Sequence, residues 1–299
     1  MISRGTLIAG LIVVELAILG EIVVAIQGGG QPAPPYVWRT DAEAAPGSQL
    51  IDGGPHQTFA AGAHPELTVD IGYADLTIVA ANVPRIDISV SRGGELRFLR
   101  STAPIAAQND GDTISITTSG GRRWSTGDDR MVTVLVPPET KVTVINAGDI
   151  KAKGLRAEAS FNSIGSGDVT IEDYDAPALS VATSNGRITL REVVATHLDA
   201  TSRNDRVDAA GLRVRDGKVE SDDHVNLGFA TGSDALVNAE TDDGKVYVSG
   251  LSAAAWVVTG KSNGGSDDDS SSQTVRVGAG DGRFYVHTSD GNINLNSEN

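Results

Sequence analysis

The sequence predicts an all-β protein: a single-stranded β-helix or β-solenoid ectodomain with repeats of about 19 residues, preceded by one N-terminal transmembrane helix. Three observations carry this expectation. A turn pattern recurs at nearly constant spacing through the C-terminal half. Apolar and polar residues alternate strictly from Phe59 onward. One long apolar run lies close to the N-terminus.

That run, Thr6 to Ile26, is 21 residues long, enough to cross a hydrocarbon core of about 30 Å. Arg4 precedes it and no Lys or Arg follows until Arg39. The positive-inside bias therefore places residues 1–5 in the cytoplasm and the rest outside. Val23 and Ala25 would suit a signal-peptidase site, but the run exceeds the usual signal core of roughly 7–15 residues. Glu15 and Glu21 interrupt it. A carboxylate deep in the bilayer costs a few kcal/mol, so Glu15 is the candidate contact with a membrane partner, against the plainer reading of a tolerated acid. Residues 27–57, opening with G-G-G-Q-P-A-P-P-Y, read as a semi-stiff Gly/Pro/Ala spacer. Residues 58–299 are then the β-repeat ectodomain.

Period-two alternation marks strands with one buried face. It appears at Leu67, Val69 and Ile71, at Ile86, Ile88 and Val90, and at Val132, Val134 and Val136, where Pro137 and Pro138 end the strand.

The repeat decides the fold. T-S-N-G-R-I-T-L, from Thr183, returns as T-S-D-G-N-I-N-L, from Thr288. The first apolar residue after each turn is Ile150, Val169, Ile188, Val207, Val225 and Val246, at spacings of 19, 19, 19, 18 and 21. Two residues before it stand Gly148, Gly167, Gly186, Asp205, Asp223 and Gly244, with Gly291 in the last unit. A tight corner using left-handed backbone would suit Gly and, less well, Asp at this slot. Each unit reads strand, corner, strand, bend. A near-constant period favours stacked coils over a meander of hairpins. The next corner, at Asn263-Gly264, leads to Ser266 and Asp268 in the apolar slots, which predicts a degenerate coil.

Composition narrows function. The net charge of −15 argues against nucleic acid as a partner. The absence of cysteine excludes disulfides, thiolate catalysis and Cys-based zinc sites. The five histidines lack metal-ligand spacing. Gly260 to Gly264 matches G-x-S-x-G, but no helical pattern follows it, so a nucleophile elbow is not expected. Asp149 and Asp168 occupy equivalent slots, which repeat geometry explains without acid–base chemistry. Asp267, Asp268 and Asp269 are weak calcium candidates; a solvated loop accounts for them equally. No catalytic residue and no cofactor is implied.

The stretch V-T-V-L-V-P-P-E-T-K-V-T-V-I-N-A-G-D-I, Val132 to Ile150, and the recurring T-S-x-G-x-I-x-L resemble the bacterial putative-adhesin family, a β-strand-repeat domain of unknown function. The resemblance spans roughly Phe59 to Leu295 and departs from the family pattern at Asp205 and Asp223, where that pattern has Gly. It implies a β-helix-like ectodomain, an envelope or surface role and no enzymatic activity. The expected function is a membrane-anchored interaction module facing an envelope or extracellular protein or glycan. The alternatives are a sensor acting through a membrane partner and, more remotely, a polysaccharide-active β-helix.

Overall fold

The structure, a computed structural model, describes residues 48–50, 56–92, 105–118, 130–230, 233, 236–241, 245–251, 256–262, 271–277, 282–288 and 293–297. The segment 6–26 with Glu15, the corner residues Gly244 and Gly291, and Asp267, Asp268 and Asp269 lie outside the described residues.

All regular structure among the described residues is β-strand. The first strands are β1 (Ser48–Leu50), β2 (Gln57–Ala60), β3 (Glu66–Asp70), β4 (Asp75–Ala80), β5 (Arg85–Arg92), β6 (Ile105–Asp110), β7 (Thr113–Thr118) and β8 (Arg130–Val136). The repeats follow as β9 (Lys141–Asn146), β10 (Ile150–Lys153), β11 (Ala159–Ser163), β12 (Val169–Thr183), β13 (Ile188–Ser202), β14 (Val207–Ser221), β15 (Val225–Phe229), β16 (Leu236–Thr241) and β17 (Val246–Leu251). The chain closes with β18 (Trp256–Ser262), β19 (Ser271–Val277), β20 (Gly282–Thr288) and β21 (Ile293–Ser297). Strand β1 lies within the stretch assigned to the spacer and pairs antiparallel with β6. At three residues it is too short to display an alternation.

The expected stack is present. Ile150 pairs with Val169, Val169 with Ile188, Ile188 with Val207, Val207 with Val225 and Val225 with Val246, all in parallel register. A meander would make successive pairs antiparallel. The parallel ladder spaces coils by about 4.8 Å, so like side chains meet like. The 18-residue step arises at the corner, where Val225 follows Ser221 by four positions against five from Ser202 to Val207.

Both ends of the stack depart from the simple repeat. Val246 pairs next with Ile293, and the degenerate coil expected through Ser266 and Asp268 lies outside the described residues. Strands β18 and β19, which flank that segment, form an antiparallel pair, with β18 alongside β20. At the other end, sequence order and spatial order differ. Strand β3 lies between β7 and β9, and β4 lies between β8 and β10. The coil formed by β7 and β8 thus sits outside that of β3 and β4, with β5 and β6 antiparallel to it.

Within a coil, the 15-residue strands are three short runs. In β12 the buried positions run Val169, Ile171, then Tyr174, Ala176, then Leu179, Val181, Thr183, so the inward phase breaks twice. The first break falls at a left-handed residue: Asp173 with φ of 52° and Glu192 with φ of 51°, aligned at 19-residue steps with Gly154 and Gly211 at 80° and 72°. Left-handed backbone costs an L-residue roughly 1–2 kcal/mol, which glycine avoids.

The corner glycines have a different reason. None of Gly148, Gly167 and Gly186 is left-handed, contrary to the expectation drawn from sequence. A Cβ on Gly167 would lie 2.0 Å from the carbonyl oxygen of Gly148, and one on Gly186 would lie 2.1 Å from that of Gly167. On Gly148 it would lie 2.5 Å from the carbonyl oxygen of Ala74. The glycines let one coil's backbone descend onto the next.

A buried polar column ties these corners together. Asn146, Ser163, Thr183, Ser202, Ser221 and Thr241 are all buried and stand in register. Thr183 Oγ1 donates to the carbonyl of Gly167 at 3.3 Å and accepts the N–H of Gly186 at 3.0 Å. Ser202 Oγ donates to the carbonyl of Gly186 at 2.9 Å and accepts the N–H of Asp205 at 3.3 Å. The Thr183 and Ser202 hydroxyls thus each close their own corner and bond the corner before it. Around this seam the core is thin and aliphatic, with Ile188, Leu190, Val193 and Ala200 all buried.

Gly167→Ala should therefore lower stability by about 2–3 kcal/mol through backbone overlap, whereas Gly72→Ala, with open space around its Cβ, should stay within about 0.5 kcal/mol. Urea unfolding of the two variants checks this; equal effects would remove the close-approach explanation. Ser202→Ala should cost about 1–3 kcal/mol by orphaning buried backbone groups, read in the same assay.

Candidate functional site

Outward positions recur as faithfully as inward ones, so the coils build columns of exposed side chains. Beside the corners, Asp149 Oδ1 accepts the N–H of Asp168 at 3.0 Å, and Asp168 Oδ1 accepts the N–H of Arg187 at 2.8 Å. These aspartates bond backbone of the following coil. That is a structural use, and it explains their recurrence without acid–base chemistry.

A concavity lies over the second run of successive coils. Arg156, Asp175, Val194 and Arg213 hold the same repeat position at 19-residue steps, with Asp175 opposite Val194 and Val194 opposite Arg213. They line an open groove of about 590 Å3 together with Pro177, Thr196, Arg215 and Ser233. Strand β14 places Arg213 and Arg215 outward because Val214 between them is buried. Arg156 is engaged: it donates to Asp173 Oδ1 at 2.8 Å and to the Asp173 carbonyl at 2.5 Å. The guanidinium groups of Arg213 and Arg215 have no ionic or hydrogen-bonding partner among the described residues. Val194 adds an apolar step at 37% exposure.

Tyr174 packs beneath this face. Its hydroxyl donates to the carbonyl of Ala157 at 3.1 Å and also contacts that of Ala178. Burial pushes its phenol well above the ordinary range, keeping it protonated.

A second, smaller groove of about 300 Å3 runs along the following face, where Lys141, Glu158, Ser160, Ser180, His197 and Asp199 meet. His197 pairs with Asp216 one coil on, and Lys141 lies 3.7 Å from Glu158. Lys218 has its pKa raised, chiefly by its hydrogen bond to Glu220. Charges on this face are thus mutually compensated, unlike Arg213 and Arg215.

The sequence-predicted residues fall apart in space and in role. Gly148, Gly167 and Gly186 stand where one coil's backbone meets the next and are not among the residues lining either groove. His56 and His64 are exposed, and His224 contacts Asp223 and stacks on Tyr247 with ring centroids 6.4 Å apart. Gly260 to Ser262 belong to β18, whose partners are strands. Among the described residues no group of three or more His, Asp or Glu could hold a metal ion, and no helix is long and apolar enough to cross a membrane. The arginine groove was not read from sequence, although projecting Arg156 forward by the repeat lands on Arg213.

Residues 64–296 match the family model described as Toastrack DUF4097. No curated protein matches the chain significantly. Among solved structures, a putative adhesin from Bacteroides fragilis aligns over 81% of this chain and 96% of its own, at 11% identity and a TM-score of 0.48. A putative lipid binding protein from Parabacteroides distasonis aligns over 85% and 98%, at 11% identity and a TM-score of 0.43. A putative cell adhesion protein from Clostridium sporogenes aligns over 81% and 99%, at 9% identity and a TM-score of 0.29.

The Tyr174 environment makes a signed prediction. Its phenol is harder to ionise folded than unfolded, where the pKa is about 10. That contribution is fully present below about pH 10 and is lost as pH rises above it. Tyr174→Phe should lower stability at neutral pH by about 1–2 kcal/mol and flatten its decline between about pH 10 and 12, measured by urea unfolding across that range. An unchanged alkaline slope would contradict it.

Proposed function

The chain belongs to the Toastrack DUF4097 family, and on that premise we propose that it is a non-catalytic interaction module of the cell envelope. In this reading residues 6–26 anchor it in the cytoplasmic membrane, residues 27–57 hold the solenoid off the bilayer, and the solenoid faces an envelope or extracellular partner. The observation that carries the reading is the in-register stack. It repeats each outward position at steps of about 4.8 Å, presenting columns of side chains to an extended partner rather than converging a few groups on one reacting atom. The net charge of −15 supports a surface kept off anionic membrane. The long apolar run and its flanking charge bias support the anchored topology.

Protease added to intact spheroplasts should digest the solenoid and leave a small membrane-embedded N-terminal fragment. Photo-crosslinking residues placed at the outward positions Thr170 and Ser180 in living cells should trap a discrete envelope species. A solenoid protected until the membrane is opened would overturn the topology. Crosslinking that yields only a diffuse smear would overturn the interaction role.

A further inference from the structure

We propose that Asn185–Gly186 is a latent modification site: its side-chain amide condenses with the backbone only when the corner opens, and the isoaspartate that results stops the corner from closing again. The inference is independent of what the solenoid binds.

The chemistry is intramolecular and needs only water. The Gly186 nitrogen attacks Asn185 Cγ and bonds to it. The Cγ–Nδ2 bond breaks, and the Gly186 amide proton leaves with the departing amide as ammonia. The product is a cyclic imide. Water opens it at Cγ, giving aspartate, or at the former main-chain carbonyl, giving isoaspartate. In isoaspartate the backbone runs through the side chain and is one carbon longer. Glycine after asparagine favours the attack, because no Cβ shields the nitrogen. The chain has Asn-Gly at 185–186 and again at 263–264, and the second pair lies outside the described residues.

As sequence, an Asn-Gly corner is reactive. Three observations in the folded corner oppose the reaction. The nucleophile is committed: Gly186 is buried and its N–H donates to Thr183 Oγ1 at 3.0 Å. Breaking that bond leaves a buried donor without a partner. The electrophile is held: Asn185 is exposed, but its Oδ1 accepts from Asn204 Nδ2 of the next coil at 2.6 Å, which restrains the amide from turning toward the backbone. The main chain is fixed as well. The Gly186 carbonyl accepts from Ser202 Oγ at 2.9 Å, and a Cβ on Gly186 would lie 2.1 Å from the carbonyl oxygen of Gly167.

Bringing the nitrogen to Cγ rotates the backbone between them, and the coils on either side block that rotation. The reaction therefore runs through states in which the corner has left the stack. The same crowding rejects the longer product. A corner without room for a side-chain carbon has none for an extra main-chain carbon.

Peptide mapping of the full chain in mildly alkaline buffer, beside the free peptide Ala-Thr-Ser-Asn-Gly-Arg-Ile-Thr of residues 182–189, tests the proposal. Deamidation at Asn185 should be at least about tenfold slower in the folded chain than in the peptide, and should reach the peptide rate in unfolding urea. Thr183→Ala removes the acceptor of the Gly186 N–H and should speed the reaction at least about threefold. A chain aged in urea and then refolded should carry aspartate at 185 in its folded fraction and isoaspartate in its unfolded fraction, scored by isoaspartyl-specific methyl transfer. Asn185→Asp has the charge without the longer backbone and should refold as the parent does. Should Thr183→Ala fail to fold, the rate ratio and the refolding partition still decide. The proposal falls if folded chain and peptide deamidate at the same rate, or if a folded Thr183→Ala chain is no faster. It falls also if isoaspartate at 185 enters the folded fraction as often as aspartate, or if Asn185→Asp refolds poorly, which would lay the effect on charge.

Discussion

The structure depends on one backbone approach. At each corner the chain lies so close to the coil before it that a single carbon on Gly167 or Gly186 would overlap a carbonyl. That approach lets a parallel ladder run unbroken from Leu76 through Ile150 to Val246. The buried hydroxyls of Thr183, Ser202 and Ser221 fix it by bonding the corner below. A thin solenoid has little aromatic surface to bury, and the 4% aromatic content of this chain leaves aliphatic columns and backbone pairing to hold it. Buried hydroxyls suit such a core because one group can both donate and accept, as Thr183 and Ser202 do. Substituting Asp at the corner, as Asp205 does, keeps the hydroxyl bonds: Ser221 Oγ donates to the Asp205 carbonyl at 2.5 Å.

The same constraint shapes the surface. Since inward slots are filled by small apolar residues and the seam by hydroxyls, only outward positions are free to vary, and every change on them is displayed at a fixed place. Some charges on these positions are answered one coil away, as Arg191 is by Glu172 at 3.3 Å and His197 by Asp216.

Much of the fold was legible in the sequence, and the reasons for the exceptions are physical. The column from Ile150 to Val246 could be read directly, because an in-register parallel stack converts constant spacing into contact. Identical spacing could not reveal why Gly167 is glycine, since a left-handed corner and a close backbone approach both exclude a side chain. The true left-handed column hid because Asp173 and Glu192 occupy two of its places. Thr183 opens the turn motif in sequence, and only burial in the stack shows it, with Ser202, to be part of a seam. The ordering of β7 and β8 outside β3 and β4 rests on pairings between strands distant in sequence, which no local pattern encodes. The arginine groove joins residues from coils far apart in the chain, so each arginine alone looked like any solvated surface charge.

The account stands or falls on coils stacked in order at one interval. Nitroxide labels on cysteines introduced at Lys151 and Asp208, and at Lys151 and Tyr247, would span three and five steps of the outward column. Double electron–electron resonance should return mean distances differing by about 9–10 Å, two ladder spacings. Indistinguishable distances, or a shorter one for the pair farther apart in sequence, would contradict the stacked-coil architecture.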